Sequence, residues 1–200
     1  QDLSKQLNIN TKKIKNVTSS LSGSAIDARQ LSILDMPDNE LIVSLELEAK
    51  KHLPLDGTDA IIDYHHIGTS GNELDKIDVI LVTTTKNRIK DHSDILKSSG
   101  YKVETFDADP IALSNIYQHS YDLPDKGADV ILNIGHTSTT LVAWGKESSF
   151  FTREIEIGGH QINQGIIQEL NIDYTSATNL KEDKGINAFE NNNEDKAVEN

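Results

Sequence analysis

The sequence contains no cysteine, which excludes a disulfide scaffold and any thiolate metal site. It contains no run of about 18 apolar residues, so no segment reads as a membrane-spanning helix. Basic side chains are scarce. Nineteen Lys and Arg stand against thirty-two Asp and Glu, a formal net charge of −13. Broad nucleic-acid surfaces and direct adsorption to an anionic bilayer both need clustered Lys and Arg, so neither is expected. Apolar content is 36%, low for a globular chain, and the shortfall sits mainly at the two polar ends. No Gly-x-Ser-x-Gly elbow surrounds Ser114 or Ser138, and no solenoid-length repeat recurs. The chain opens on Gln1-Asp2-Leu3 without an initiator Met or a basic leader, and reads as an internal segment of a longer protein.

What is present is a patterned middle of α/β (α+β) type. Residues 13–21 and 25–34 are predicted strands. Residues 38–52 are a predicted helix, with Pro37 or Asp38 near the cap, a Leu41–Leu45–Ala49 stripe and a Glu46–Lys50 pair. Pro54 ends it. A strand at 59–67 gives way to the turn-rich 68–72. An apolar strand follows at 77–84, then a helix at 86–98 closed by Gly100, a strand at 101–106, and a helix from Asp109 to about Gln118 with Asp109 as its cap. Residues 1–120 therefore read as one small mixed α/β subdomain. Residues 121–127, rich in Pro, Gly and charge, read as a linker. Strands at 129–134, 139–144 and 150–157 then form an antiparallel hairpin-plus-helix unit across 128–186. Its helix at 161–170 turns Ile162, Ile166, Ile167 and Leu170 to one face, and another helix starts at 174–181. Residues 187–200 are nearly devoid of apolar side chains and are expected to be disordered.

The most informative stretch is Asn133-Ile134-Gly135-His136-Thr137-Ser138-Thr139-Thr140-Leu141. An apolar strand ends in Gly, a run of small hydroxyl residues follows, and an apolar strand returns. Such a turn can aim backbone N–H groups at an anion, with Gly135 allowing close approach and a positive φ, and the hydroxyls adding donors. The same residues also make an ordinary hairpin, since Thr favours strands. Elsewhere the residues suggest structure more than chemistry. His65 and His66 are adjacent on a strand, point to opposite faces, and cannot chelate one metal together. His92, His119, His136 and His160 have no metal-ligand spacing. Asp107 and Asp109 flank a helix start, and Arg153-Glu154 reads as an ion pair.

Several segments in order resemble the PilM family of type IV pilus assembly, and more distantly FtsA of cell division. They are the run from Glu46 to Leu55 with Ile62-Asp63-Tyr64 after it, Asp107-Ala108-Asp109-Pro110-Ile111-Ala112-Leu113, Asn133-Ile134-Gly135 with its Ser/Thr run, and the stretch from Phe151 to Gly159. The similarity covers roughly residues 15–185. It implies an actin-like (ribonuclease-H-like) fold with ATP in a cleft between two halves. By that resemblance Asn133, Gly135, His136, Thr137, Ser138 and Thr139 match the second phosphate loop. Gly158-Gly159 leads to the nucleoside pocket, and Lys181 falls where a nucleoside-contacting Lys is found. Asn133 replaces the usual Asp, so the charge that offsets hydrated Mg²⁺ is lost. The first phosphate hairpin would lie before Gln1 and the adenine-side Gly motif after Asn200. ATP with Mg²⁺ is therefore expected in the full-length protein and not in this segment. No catalytic or metal-ligating residue is assigned. The resemblance also implies a groove, in the unit near residues 15–118, for the cytoplasmic segment of an inner-membrane pilus protein of PilN type. The protein would then be cytoplasmic, held at the inner membrane through that partner, without direct membrane insertion or nucleic-acid binding, and able to form a homo-oligomer. The alternatives are an FtsA-like division protein and a sugar-kinase-like phosphotransferase.

Overall fold

The computed structural model describes residues 15–23, 26–51, 60–71, 73 and 75–185. The Pro54 stop and the expected disorder of 187–200 lie outside them. In chain order the elements are β1 (Asn16–Leu21), β2 (Ile26–Leu34), α1 (Asp38–Lys50), β3 (Ala60–Thr69), β4 (Lys76–Thr85), α2 (Lys86–Ser98), β5 (Lys102–Ala108) and α3 (Asp109–Ser120). Then come β6 (Asp129–Ile134), β7 (Thr139–Gly145), β8 (Ser148–Ile155), α4 (Gly159–Leu170) and α5 (Tyr174–Lys184). Two compact units result. Of the described residues, one holds those up to 131 and 142–152, the other 132–141 and those from 153 onward.

The first unit is built on a three-stranded antiparallel sheet in the order β2-β4-β3. Its central strand carries the run Ile-Asp-Val-Ile-Leu-Val, and both faces are covered, as a near-continuous apolar strand requires. On one face Val79 and Leu81 pack with Leu41, Leu45 and Ala49 of α1, joined by Ile62 and Tyr64 of β3. This is the i, i+4 stripe of the sequence, and Leu45 is fully buried. On the other face Ala28 and Ile80 pack with Val142 and Phe150. Two bonds fasten β8 to β2: Phe150 N–H donates to Gln30 Oε1 (2.6 Å) and Thr152 Oγ1 to the Ala28 carbonyl (2.8 Å). A parallel pair, β1-β5, completes the unit. Helix α2 is held over it by His92, whose Nε2 lies 2.9 Å from Ser19 Oγ and whose ring meets Phe106 edge-on at 5.6 Å.

Several local expectations change. Helix α1 ends at Lys50, and its ion pair is Lys51 with Glu48 (2.5 Å), not Glu46 with Lys50. Strand β3 runs through Gly68 to Thr69: a register shift between His66 and Gly68 leaves Ile67 as the bulged residue, and Gly68 pairs with Asp78 of β4. Asp109 is not the cap of α3. The cap is Ala108, with no side-chain cap bond, and the carboxylate that reaches the backbone is Asp107, which accepts from Ala108 N–H (2.8 Å).

The strands β6-β7-β8 form a second three-stranded sheet. Their connections of four and two residues admit only antiparallel pairing. The stretch 121–127 is no free linker. Lys146 Nζ pairs with Asp125 (2.8 Å), Lys146 N–H donates to the Pro124 carbonyl (3.2 Å), and Ser148 Oγ to the Gly127 carbonyl (2.6 Å). These bonds fix it to the β7–β8 turn inside the first unit. The division runs instead through the middle of the strands.

In the second unit α4 and α5 pack together. Ile166 and Ala177 are fully buried, and Asn163 Nδ2 donates to Thr178 Oγ1 (2.8 Å). Ile162, expected on the buried face, is 38% exposed; Asn163 takes that position.

Candidate functional site

All nine residues that the resemblance assigned to a nucleotide site fall in the second unit. Asn133 and Gly135–Thr137 are exposed, Ser138 is half-buried, and Thr139 is buried. The hairpin closes on itself where Gly135 N–H donates to the Ser138 carbonyl (2.9 Å). Gly135 lacks a positive φ. Its missing side chain serves the close approach alone, since a Cβ would lie 2.9 Å from the Ser138 carbonyl oxygen.

The hairpin tip is seated on the start of α4. Gly159 N–H donates to the Gly135 carbonyl (2.9 Å) and His160 N–H to the His136 carbonyl (2.7 Å). Gly158 N–H donates to Gln161 Oε1 (2.9 Å), satisfying another orphan donor of the helix end. Gly158 must be glycine for this contact. A Cβ there would stand 2.7 Å from the His136 carbonyl carbon and oxygen and 2.8 Å from the Gly135 oxygen. Lys181 reaches across from α5, its Nζ 3.4 Å from the Gly159 carbonyl. Hairpin, Gly-Gly pair and Lys181 are therefore brought together.

The geometry also reassigns their roles. The first N–H groups of α4 are consumed by the hairpin carbonyls, so that helix end is not open to an anion. Thr139 Oγ1 donates to the Ile157 carbonyl (2.7 Å), and Thr140 Oγ1 donates to Glu154 Oε2 (2.9 Å). Both hydroxyl protons are spent inside the fold. Among the described residues the hydroxyls of Thr137 and Ser138 make no bond, and the Lys181 ammonium brings positive charge beside Gly159. The unspent donors of this group of residues therefore lie at the hairpin tip and not at the helix start. Glu154 is tied to Thr140, not to Arg153 as the sequence suggested, and its Oε1 is buried without a partner. Among the described residues, no group of three or more His, Asp or Glu could hold a metal ion.

The sequence missed the aromatic neighbours of the tip. The His136 ring lies 5.4 Å from that of His160, which lies 6.0 Å from Tyr174. Residues 24 and 14 apart gave no spacing signal for this row. At the start of α5, Asp173 caps the helix. It accepts from the backbone N–H groups of Thr175 (2.9 Å) and Ser176 (3.1 Å) and from Ser176 Oγ (2.6 Å). The Ser176 bonds hold its carboxyl below the ordinary carboxylate value.

A second feature lies wholly in the first unit. A cavity of about 660 Å³ opens beneath the sheet face opposite α1. Ile80, Val82, Phe106, Ile111 and Trp144 give it apolar walls, and Asp63 and Asp107 give it acidic groups.

The fold matches that of a chain from the PilM-PilN type IV pilus biogenesis complex, with a TM-score of 0.71 at 21% identity over 84% of this chain and 50% of that one. Weaker similarity links it to the cytoplasmic domain of EpsL, an inner membrane component of the type II secretion system of Vibrio cholerae (TM-score 0.46, 12% identity, 79% of this chain and 57% of that one). A Bacteroides thetaiotaomicron protein with an actin-like ATPase fold and unknown function is similarly distant (TM-score 0.41, 10% identity, 86% of this chain and 62% of that one). The class is the mixed α/β one that the sequence suggested. Within it the chain belongs to the PilM family: the family model described as type IV pilus assembly protein PilM matches residues 2–193. The chain spans about half the length of the PilM-PilN chain it matches.

Proposed function

We propose that this chain forms the partner-docking unit, and contributes part of a nucleotide site, in an actin-like scaffold of type IV pilus assembly. The observation that carries the docking reading is the cavity of about 660 Å³ in the first unit. It is concave and mostly apolar with a few polar groups, the form taken by specific small sites and peptide grooves. Its occupant in this reading is the cytoplasmic segment of a PilN-type inner-membrane protein, as the partnership in the matched complex suggests. Through that partner the scaffold is held at the cytoplasmic face of the inner membrane. Among the described residues, no helix is long and apolar enough to cross a membrane.

The nucleotide reading rests on the hairpin tip. Thr137, Ser138 and Lys181 would hold a phosphate of ATP, with Gly135, Gly158 and Gly159 setting the close packing that presents them. Asn133 at the strand end contributes a neutral amide and no charge for Mg²⁺. ATP supplies a conformational signal in this reading, and the chain's own residues bind and orient it.

The test uses the full-length parent protein and measures ATP binding, turnover and binding of the PilN-type N-terminal peptide. Micromolar peptide affinity with negligible turnover is expected. Sugar-dependent release of ADP would overturn the scaffold reading. The double substitution Thr137→Ala/Ser138→Ala is expected to weaken ATP binding by about tenfold while the melting temperature stays unchanged; unaltered affinity removes the hairpin from the nucleotide site.

A further inference from the structure

Strand β3 is the outer strand of its sheet. One edge pairs with β4 along its length, and no strand among the described residues takes the other. A ten-residue free edge is an open template for a further strand unless it is guarded. In an antiparallel pair, alternate residues turn their N–H and C=O groups toward the partner and those between turn theirs outward. Tyr64 N–H donates to Asp63 Oδ1 (2.9 Å). That bond assigns Tyr64 to the outward set, and Ile62 and His66 with it. The Asp63 carboxylate acts as the guard.

The cavity touches Asp63, Tyr64 and His65 in succession. Successive strand residues face opposite sides of a sheet, and the Tyr64 side chain packs with the α1 cluster on the far side. The cavity therefore meets Tyr64 at its main chain and continues from the sheet face to the strand's backbone. Among its described lining residues there are two carboxylates, Asp63 and Asp107, and no Lys or Arg.

We propose that the partner segment binds as an added strand on the free edge of β3. This rests on the docking reading above and specifies its geometry. Main-chain groups of the segment bond those of Ile62, Tyr64 and His66. Alternate side chains of the segment enter the cavity against Ile80, Val82 and Trp144. A carbonyl of the segment replaces Asp63 as acceptor for Tyr64 N–H, and the released carboxylate pairs with a Lys or Arg of the segment. The occupant is thus an extended peptide with apolar side chains at every second position and at least one basic residue.

The probe is a fluorescent synthetic peptide of the residues that precede the membrane span of the PilN-type protein encoded in the same genome, titrated into the full-length protein. Two further peptides carry N-methyl groups on alternate amides, one in each register. One register is expected to lose at least about tenfold in affinity through its missing donors, and the other to bind within about twofold of the parent peptide. Asp63→Asn, on an exposed side chain that leaves the fold intact, is expected to weaken the peptide several-fold and to leave a norleucine-for-Lys analogue unaffected. If both N-methylated peptides bind as well as the parent, or both fail alike, strand addition is overturned while docking stands. If the unmodified peptide does not bind, docking and strand addition fall together. If the protein instead dimerises through β3 and the peptide does not compete, the free edge belongs to a second copy and the proposal is overturned.

Discussion

Two glycines in the second unit look alike in sequence and differ in what surrounds them. Gly158 lies against the carbonyls of Gly135 and His136, and a Cβ there would stand 2.7 Å from rigid backbone atoms. Gly165 lies in the interior of α4, where a Cβ meets nothing within 4 Å. Gly158→Ala is therefore expected to push the hairpin off the helix start and to destabilise the protein by about 1–3 kcal/mol, as overpacking does. Gly165→Ala relieves the helix of glycine's backbone entropy and is expected to stabilise by up to about 1 kcal/mol. Chemical denaturation of the two variants reads both signs; equal effects would show that the Gly158 contact does not hold the hairpin. Gly135 is a poor probe of phosphate binding, since Gly135→Val crowds the Ser138 carbonyl and disturbs the turn itself. Removing the Thr137 and Ser138 hydroxyls alters the proposed ligand donors alone.

Among the elements, α5 depends on a single titratable cap. Asp173 accepts three bonds at the helix start, and its folded pKa lies below the unfolded value. A carboxyl lowered in this way contributes stability that is fully present above its unfolded pKa and is lost as pH falls through the folded value. Helix α5 is thus expected to loosen selectively at acidic pH, below the ordinary carboxylate range. Asp173→Asn keeps the capping oxygen but removes the charge, and is expected to abolish that pH dependence. Amide exchange across Tyr174–Lys184 measures it; an unchanged acid profile in the variant would refute the role. Elements were legible where one pattern dominated. Helix α2 starts and ends where sequence placed it, as does β6. The end of β3 was misjudged because Gly68 reads as a turn, whereas a bulge at Ile67 lets Gly68 pair with Asp78 of β4.

For the whole molecule the dominant property is charge. At −13 the chain repels polyanions and steers cationic segments toward itself. The association rate of the proposed basic partner peptide is expected to fall several-fold between low salt and about 0.5 M, where the Debye length shrinks to a few ångströms. Its dissociation rate should change far less, because contacts within the cavity are screened less than the approach. Stopped-flow titrations at several ionic strengths check this, and a salt-independent association rate would contradict the assignment of a basic partner. The division into two units also emerges only at this scale. Residues 121–127 carry every mark of a linker, yet Lys146 and Ser148 bind them to a turn some twenty residues on.

The sequence by itself determined the composition of the surface, the order of strands and helices, the α1 stripe of Leu41, Leu45 and Ala49, and the ordered motifs of the PilM family. Each of these is a local pattern or a spacing, and the chain carries it before any folding. The tertiary structure alone decided which donors stay open. It spends the Thr139 and Thr140 hydroxyls and the first amides of α4 inside the fold, and leaves Thr137, Ser138 and Lys181 at the hairpin tip. It alone joined Asp63, from β3, and Asp107, from β5, in one cavity. Hydrogen-bond partners and cavity walls come from segments distant in sequence, and no spacing along the chain records which of them will meet.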